Sequence, residues 1–409
     1  MKLVLNKVFF NQLLFIICVV VPFFNNYELS FATWSFSIVL TLKYNYSLQF
    51  IRYLFIFIFI LVLAIVVGLF NDHASYFIIR DITYLLKPIT GLLLGYQLFS
   101  DKIKKPFQFI VYAGLAIASY HLVLVFYGIV FDGVRKMREI REFGGYFNDF
   151  EVYTLIILLF NNQIKLGFSK KQTQMFIGIL AISSFFYLAR TNFIQFVVLF
   201  AALKGYLVLT KRALKIILSC IMLSLLTYTA IYQYNPVRNG KGIDEFLYKI
   251  KIIPTEAFST RIKRDDWKDF NDNYRSYENI RTIEQLSNNE NFLFGEGIGS
   301  QVDLKQKVFL GNMFLRKISI LHNGFMTILL KTGLVGLCIY FFSIAFFFKR
   351  NTATNETLKN INYIFIGTGV FLIISNWVFM GFYNLLDTKS LLIGFLFAYK
   401  NNIINNIKD

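Results

Sequence analysis

Three kinds of side chain in this 409-residue chain could do chemistry, and each stands where an apolar run begins or ends. His322 opens HNGFMTILLKTGLVG, His322 to Gly336, at the mouth of a hydrophobic stretch. Histidine has its neutral form populated near pH 7, so it can take a proton from an incoming hydroxyl as a general base. Asn323 beside it is placed to orient the imidazole or an acceptor. Arg190, in YLARTNF, occupies a very short hairpin between two apolar runs. A guanidinium there is costly unless it is paired or reaches a wet cavity. Snorkelling to lipid phosphate is the bland account; a recruited anionic ligand is the sharper one. Arg80, in YFIIRDITYLLK, is a further anion-site candidate, with a structural ion pair to the neighbouring Asp81 as the equal alternative.

A second group of cations lies between Arg261 and Arg281. Arg261, Lys263, Arg264, Arg275 and Arg281 are interleaved with Asp265, Asp266, Asp269, Asp272 and Glu278, many of them three or four residues apart. That spacing reads mostly as a solvated helix face, from which one or two arginines are expected to reach a ligand. The acidic cluster lacks the glycine-turn loop of a calcium site. Cys18, Cys220 and Cys338 each fall inside a hydrophobic run, which excludes a disulfide framework or zinc cage and makes them core filler. No metal and no cofactor is expected. His121 and His73 have no motif around them. The GEGIG segment, Gly295 to Gly299, follows no strand and is read as a tight turn, not a dinucleotide loop. Gly333 and Gly336 have the spacing that permits close contact between helices.

The elements that must position these residues follow from composition. The chain is 56% hydrophobic, 18% aromatic and only 16% charged, the profile of a polytopic membrane protein. About twelve stretches approach the length that spans a bilayer: 8–24, 29–43, 53–70, 76–99, 107–131, 151–167, 173–189, 191–209, 213–232, 322–348, 361–381 and 385–399. The stretch at 29–43 is short enough for a re-entrant or interfacial piece. The first stretch follows Lys2 and Lys7 as a signal peptide would, but no small-residue cleavage site follows, so it reads as an uncleaved helix. With the N-terminus in the cytoplasm, Lys43, Arg52, Lys102, Lys104, Lys105, Lys165, Lys170, Lys171, Lys211, Arg212, Lys349 and Arg350 all face inward. The net charge of +18 is then a topology signal toward anionic lipid and no sign of nucleic-acid binding. Both termini come out cytoplasmic. The chain divides into spans one to nine (1–232), an extracytoplasmic cap (233–321) and spans ten to twelve (322–409) of one integrated membrane domain. The cap mixes charges and carries the amphipathic run DDWKDFNDNYRSYENIRTIEQL, so it is expected to be folded and partly helical.

Several of these motifs together resemble the O-antigen polymerase and O-antigen ligase superfamily of membrane glycosyltransferases. HNGFMTILLKTGLVG has the His-Asn-x9-Gly-x-x-Gly signature at each defining position. NENFLFGEGIG, Asn289 to Gly299, is similar to the family's Asn-Pro-Leu-Phe-Gly-x-Gly-hydrophobic-Gly stretch, with Phe292 in place of proline. ARTNF resembles a Ser-Arg element, with Ala189 replacing serine, and GGYFNDFEVY, Gly144 to Tyr153, a Gly-x-Phe-x-(Asp/Asn) element. Arg275 lies where the family carries a loop arginine, although Asn279 stands where its tryptophan is expected. The resemblance covers most of Phe143 to Gly336. It implies an all-α, GT-C-like polytopic fold with about twelve transmembrane helices and a large, partly helical extracytoplasmic loop. It also implies an inverting, metal-independent transfer of glycan from an undecaprenyl-diphosphate-linked oligosaccharide at the periplasmic face of a bacterial inner membrane. His322 would be the base, Arg190, Arg275 and Arg80 the diphosphate ligands, and Asn323 the orienting group. The favoured activity is a surface-polysaccharide polymerase joining lipid-linked repeat units; a ligase using lipid A core as acceptor is the alternative, and a lipid-linked glycan transporter is the non-enzyme one. Membrane lipids are expected partners, and on a chain-length regulator the sequence is silent.

Overall fold

A backbone in lipid has no water to bond, so a chain this apolar must satisfy its amides within helices. The computed structural model of the chain is accordingly helical; it describes residues 7–24, 26–135, 137–145, 148–187, 189–208, 211–237, 243–256, 262, 270, 273–310, 313–348, 355–384 and 387–408. In order these form α1 (Lys7–Val20), α2 (Tyr27–Leu40), α3 (Leu48–Gly68), α4 (Ser75–Leu98), α5 (Pro106–Val130), α6 (Met137–Gly144), α7 (Asp149–Leu159), α8 (Asn161–Ile164), α9 (Lys170–Tyr187), α10 (Arg190–Leu203), α11 (Lys211–Tyr234), α12 (Ile243–Glu256) and α13 (Tyr274–Asn288). Strands β1 (Val302–Leu310) and β2 (Met313–Ile318) follow, then α14 (Gly324–Ala345), α15 (Glu356–Phe379) and α16 (Lys389–Lys408).

Each of the twelve apolar stretches contains a helix, and among the described residues five are long and apolar enough to cross a membrane: Lys7–Phe24, Leu48–Gly68, Pro106–Val130, Gly324–Phe348 and Glu356–Phe379. Three of these starts, those of α3, α14 and α15, are set by polar caps that the hydropathy pattern does not weigh. Ser47 accepts from Phe50 N, so α3 begins five residues before the predicted 53, and Asn355 accepts from Thr357 N and Leu358 N, so α15 begins at Glu356. The stretch predicted over 151–167 ends as a helix at Leu159, where the polar run at Asn161 makes a separate turn. On α3, Phe55, Phe59, Val62 and Val66 stay exposed while Tyr53, Phe57, Ile60 and Ala64 are fully buried. A helix apolar on both faces, with one face uncovered by protein, suits a lipid surround. Cys18 is buried and hydrogen-bonded near Ser37, but Cys338 is exposed on α14, so it is not core filler; the Cys220 side chain lies outside the described residues.

The tightest helix contact is α4 with α16. Gly91, Gly95 and Gly394 let the two backbones meet, and a Cβ on Gly95 would strike the Leu391 carbonyl. Charges inside the bundle are paired: Lys331 with Asp81 at 2.6 Å, and Lys389 with Asp149 at 2.5 Å and Asp387 at 2.6 Å. Lys87 lies 3.9 Å from the Trp34 ring centroid, and His121 bonds Ser183, which donates to Glu151. Asp81, expected to pair with Arg80 if with anything, instead takes Lys331 and the Gly299 amide, because the cap folds down beside it.

Contacts sort the helix ends into two sets. Lys43 reaches the Tyr96 and Phe99 carbonyls at one end of the bundle, where Gln163 also bonds Asn360 and Leu203. At the other end Asn71 and His73 meet Glu296, Asp81 meets Gly299, and Gly324 packs on Met380. The cap joins this second end. It is helical as expected at α12 and α13, but it also carries the antiparallel hairpin β1–β2, with a register shift between Asp303 and Val308. Arg281 is spent within the cap on Glu284 and the Asp303 carbonyl. Arg261, Lys263, Arg264, Asp265, Asp266, Asp269 and Asp272 lie outside the described residues.

Gly333 does something other than the helix contact its spacing suggests. Its φ of 62° and ψ of −163° interrupt α14, and the Leu293 carbonyl sits where a Cβ would be. The kink frees amides and carbonyls that the cap turn takes up: Leu334 N donates to Phe292 O, Val335 N to Leu293 O, Glu296 N to Leu330 O and Gly297 N to Lys331 O. Gly295, Gly297 and Gly299 all have positive φ, and this turn seals the cap onto α14 and α3 as the tight turn read from GEGIG.

Candidate active site

α13 presents Tyr274, Tyr277 and Glu278 on one stripe, at the i, i+3 and i+4 spacing that makes a helix face. That face is buried against the hairpin and the start of α14. Tyr277 donates to the Leu304 carbonyl, and Glu278 has no solvent exposure. The Glu278 carboxylate closes on His322 from two sides. Oε2 accepts from the His322 backbone amide at 3.0 Å, and Nδ1 lies 3.0 Å from Oε1 and 3.1 Å from Oε2. An ionised carboxylate can only accept, so Nδ1 carries the proton and Nε2 keeps its lone pair. The ring stands edge-on to Tyr274 at 5.6 Å, and its side chain is 49% exposed.

Burial of the ring opposes its charged form, but the hydrogen bond and the charge of Glu278 outweigh it, so the His322 pKa is raised above its ordinary 6.5; the Arg275 charge works the other way. Arg275, three residues before Glu278 on α13, lies near enough for its charge to be felt at His322. The Tyr274 phenol is pushed far up, first by burial and then by the Glu278 charge. Together these groups can hold a neutral imidazole whose Nε2 bonds none of the described residues, within the field of a guanidinium, which suits proton abstraction near an anion.

Asn323 does not orient the imidazole. Its Oδ1 caps α14 by accepting from Phe325 N at 2.9 Å and Met326 N at 3.3 Å, and the residue is buried. Glu278 takes the imidazole-orienting role, one of the two expected of Asn323, and in the sequence it reads as one more charge of a solvated helix face. The signal was present in its register with Tyr274 and Tyr277.

Arg80 points its guanidinium over the Phe77 ring, 4.9 Å from the centroid, and its buried Nε and Nη2 have no hydrogen-bond partner among the described residues. It lies close enough to Lys331, on α14 below His322, for the two charges to repel. Arg190 begins α10 and is exposed, with no partner among the described residues. Beside it the Thr191 hydroxyl and both amide atoms of Asn192 are buried, with no hydrogen-bond partner among the described residues. No contact joins Arg190 to His322. The two are at one level of the bundle: Gly367 of α15 packs on Leu199 and Ala202 of α10, and from there both the end of α15 and the start of α10 lie roughly 15 to 18 Å along their axes. Asp149, from the Gly144–Tyr153 element, is held by Lys389. Compared with known proteins, the chain matches no family model and no curated protein.

Proposed function

We propose that the protein is a membrane glycosyltransferase that moves a glycan from an undecaprenyl diphosphate to an acceptor hydroxyl at the capped end of the bundle. The observation that carries the reading is the Glu278–His322 pair, a base with its tautomer fixed and its Nε2 open, at the mouth of an apolar helix. Nε2 would take the proton of the acceptor hydroxyl as its oxygen attacks the anomeric carbon. The bond between that carbon and the diphosphate oxygen breaks, its electron pair stays on the oxygen, and the leaving polyprenyl diphosphate, one negative charge richer than in the donor, departs toward guanidinium groups, with inversion at carbon. Arg275 is the ligand best placed for that anion; Arg80 and Arg190 would complete the site from α4 and α10. The transfer runs on cleavage of the glycosyl diphosphate bond.

The accompanying topology has twelve crossings, cytoplasmic termini and a periplasmic cap in a bacterial inner membrane. The division of helix ends into two sets supports it, since Lys43 and Gln163 fall on one side and the whole of the described cap contact on the other. Polymerase is preferred over ligase as the resemblance suggests. The test incubates purified protein with a synthetic undecaprenyl-diphosphate repeat unit, alone and with lipid A core. A ladder from the repeat unit alone identifies a polymerase, transfer only with core identifies a ligase, and no transfer in either sinks the proposal.

A transporter of lipid-linked glycan is the second reading, and one observation favours it. The bundle buries more charge than the sequence led one to expect: Asp81, Asp149, Glu151, Asp387 and Lys389 join Lys87, His121 and Lys331. Asp387, however, accepts from Lys389 N and Ser390 N at the start of α16, and Lys331 also bonds the Ser300 carbonyl. Lys331 and Lys389, each held by two or more acceptors, suit a fixed scaffold better than a moving pathway; Asp81 Oδ1 and Lys87 Nζ have no hydrogen-bond partner among the described residues.

A further inference from the structure

A cavity of about 370 Å³ opens at the end of the bundle opposite the cap. Its place follows from α15, whose last turn adjoins Gly324 beside His322 while its first residues line the cavity. Twenty-four residues of helix separate the two by roughly 36 Å, about the thickness of a bilayer with part of its interface.

Three lysines line the cavity. Lys104 and Lys105 come from the turn before α5, and Lys165 from the turn after α8, where it holds a left-handed conformation with φ 59°. None of the three has an ion pair among the described residues. The one carboxylate in the lining, Glu356, is answered by Lys359 at 3.6 Å. The Lys105 ammonium lies directly against Gly167, a backbone position with φ 79° that has no side chain to displace it. The first amides of α5 also face this end, with Pro106 at its first position, and add the positive end of a 25-residue helix. Phe107, Leu166 and Tyr399 add apolar surface to the same lining.

Unpaired cations set beside apolar surface, at the level of the lipid headgroups, make a site for a molecule with both characters. We infer that this cavity binds a phosphate group, and that its source is the headgroup of an anionic lipid whose glycerol and first methylenes lie on Phe107 and Tyr399. The lysines supply charge and the α5 amides hydrogen bonds. The inference stands apart from the glycan-transfer reading and uses none of its residues.

The test measures binding of phosphatidylglycerol, phosphatidylcholine and inorganic phosphate to the full-length protein in detergent, by native mass spectrometry and competition. Phosphatidylglycerol should fill one saturable site that phosphatidylcholine fills poorly. Lys104→Gln, Lys105→Gln and Lys165→Gln combined should weaken it on the order of 100-fold, about fivefold for each cation removed. Lys170→Gln with Lys171→Gln, on the same face but outside the lining, should leave it within about twofold of wild type on the same scale. If the triple variant does not fold, the single Lys104→Gln and Lys165→Gln variants carry the test, each expected to lose about fivefold. Lysine-dependent binding of inorganic phosphate without binding of the lipid would keep the phosphate site and assign it a soluble ligand. Equal losses from the lining and the outlying pairs, or none from the lining, would overturn it.

Discussion

Replacing Glu278 by glutamine should abolish transfer as fully as removing His322. The Glu278 carboxylate accepts two hydrogen bonds at 3.0 Å, one from the His322 backbone amide and one from Nδ1. In Glu278→Gln the single amide oxygen must stay with the backbone N–H, which cannot change its polarity. The NH2 group then faces Nδ1 and forces it to accept, moving the ring proton to Nε2. That is the wrong tautomer for a base, so the loss should equal that of a general base, about 10²- to 10⁴-fold, or roughly 3 to 5 kcal/mol of barrier. Glu278→Asp keeps an acceptor-only group and should retain much of the rate. The pH dependence separates positioning from mere folding. His322 must be neutral to act and its pKa is raised above 6.5, so the wild-type rate should climb with pH through a midpoint above that value. Glu278→Asp should keep the midpoint on the raised side. In Glu278→Gln burial and Arg275 remain while the cause that outweighed them is gone, so any residual rate should have its midpoint at lower pH. The assay is turnover of a synthetic lipid-linked donor between about pH 5 and 8. Glu278→Gln with a rate within a few-fold of wild type and an unmoved midpoint would refute the pairing. So would additive losses in the double variant with His322→Ala, since residues acting as a unit lose their effect once.

Four other outcomes are expected. Arg275→Ala should cost about 3 kcal/mol of transition-state stabilisation, read as a fall of roughly 10²-fold in kcat/KM, while Arg275→Lys, which keeps charge without the fork, recovers part of it. Lys331→Met strands the buried Asp81 carboxylate and should destabilise by about 3 to 5 kcal/mol, seen as a lower thermal midpoint in detergent; adding Asp81→Asn should restore most of the loss. Gly333→Ala places a methyl on the Leu293 carbonyl at φ 62° and should loosen the cap, detected as faster proteolysis near Leu293, whereas Gly336→Ala disturbs only the adjacent Thr332 side chain and should do less. Arg316, through its hydrogen bond foremost, and Lys305, through its backbone amide and charge, hold the Asp303 carboxyl down at about 2 from its usual 3.8, so the hairpin gains stability above pH 3.8 and loses it as pH falls through about 2; Arg316→Ala should shrink that acid dependence in hydrogen exchange of β1 and β2, leaving the share due to Lys305.

Much of the bundle was legible because lipid imposes one solution on apolar sequence, and each of the twelve stretches contains its helix. Their ends were less so, since Ser47 and Asn355 set starts by hydrogen bonds that hydropathy ignores. The hairpin was missed although VDLKQKVFL and MFLRKI flank a Gly-Asn pair, the pattern of a two-residue turn. The mixed charges at helical spacing elsewhere in the cap point to helix and mask the period-two alternation of these two runs. His322 was legible as a lone imidazole at a span mouth. Its partner was not, because Glu278 sits among charges at helical spacing and only the burial of its face distinguishes it. Arg80 and Asp81 show the same limit from the other side: adjacent in sequence, they point to different neighbours, because consecutive residues on a helix diverge by about 100°.

The proposed base and the carboxylate that fixes its tautomer come from different parts of the chain, and this constrains how such a site can work. His322 belongs to the entry of α14, while Glu278 belongs to the cap. What holds them in register is the turn at Gly295–Gly299, pinned by the broken backbone at Gly333 and by Asp81 through the Gly299 amide. Lys331 completes that pin from within α14, the helix that His322 leads into. A shift of the cap by one hydrogen-bond length would therefore take the carboxylate off Nδ1 without touching any residue of the membrane bundle. Variants at Lys331 or Gly333 that still fold should consequently lose transfer with the pH signature of Glu278→Gln, a midpoint moved down. Variants that weaken the bundle elsewhere, such as Gly95→Ala at the α4–α16 contact, should lower the amount of folded protein and leave the midpoint where it is.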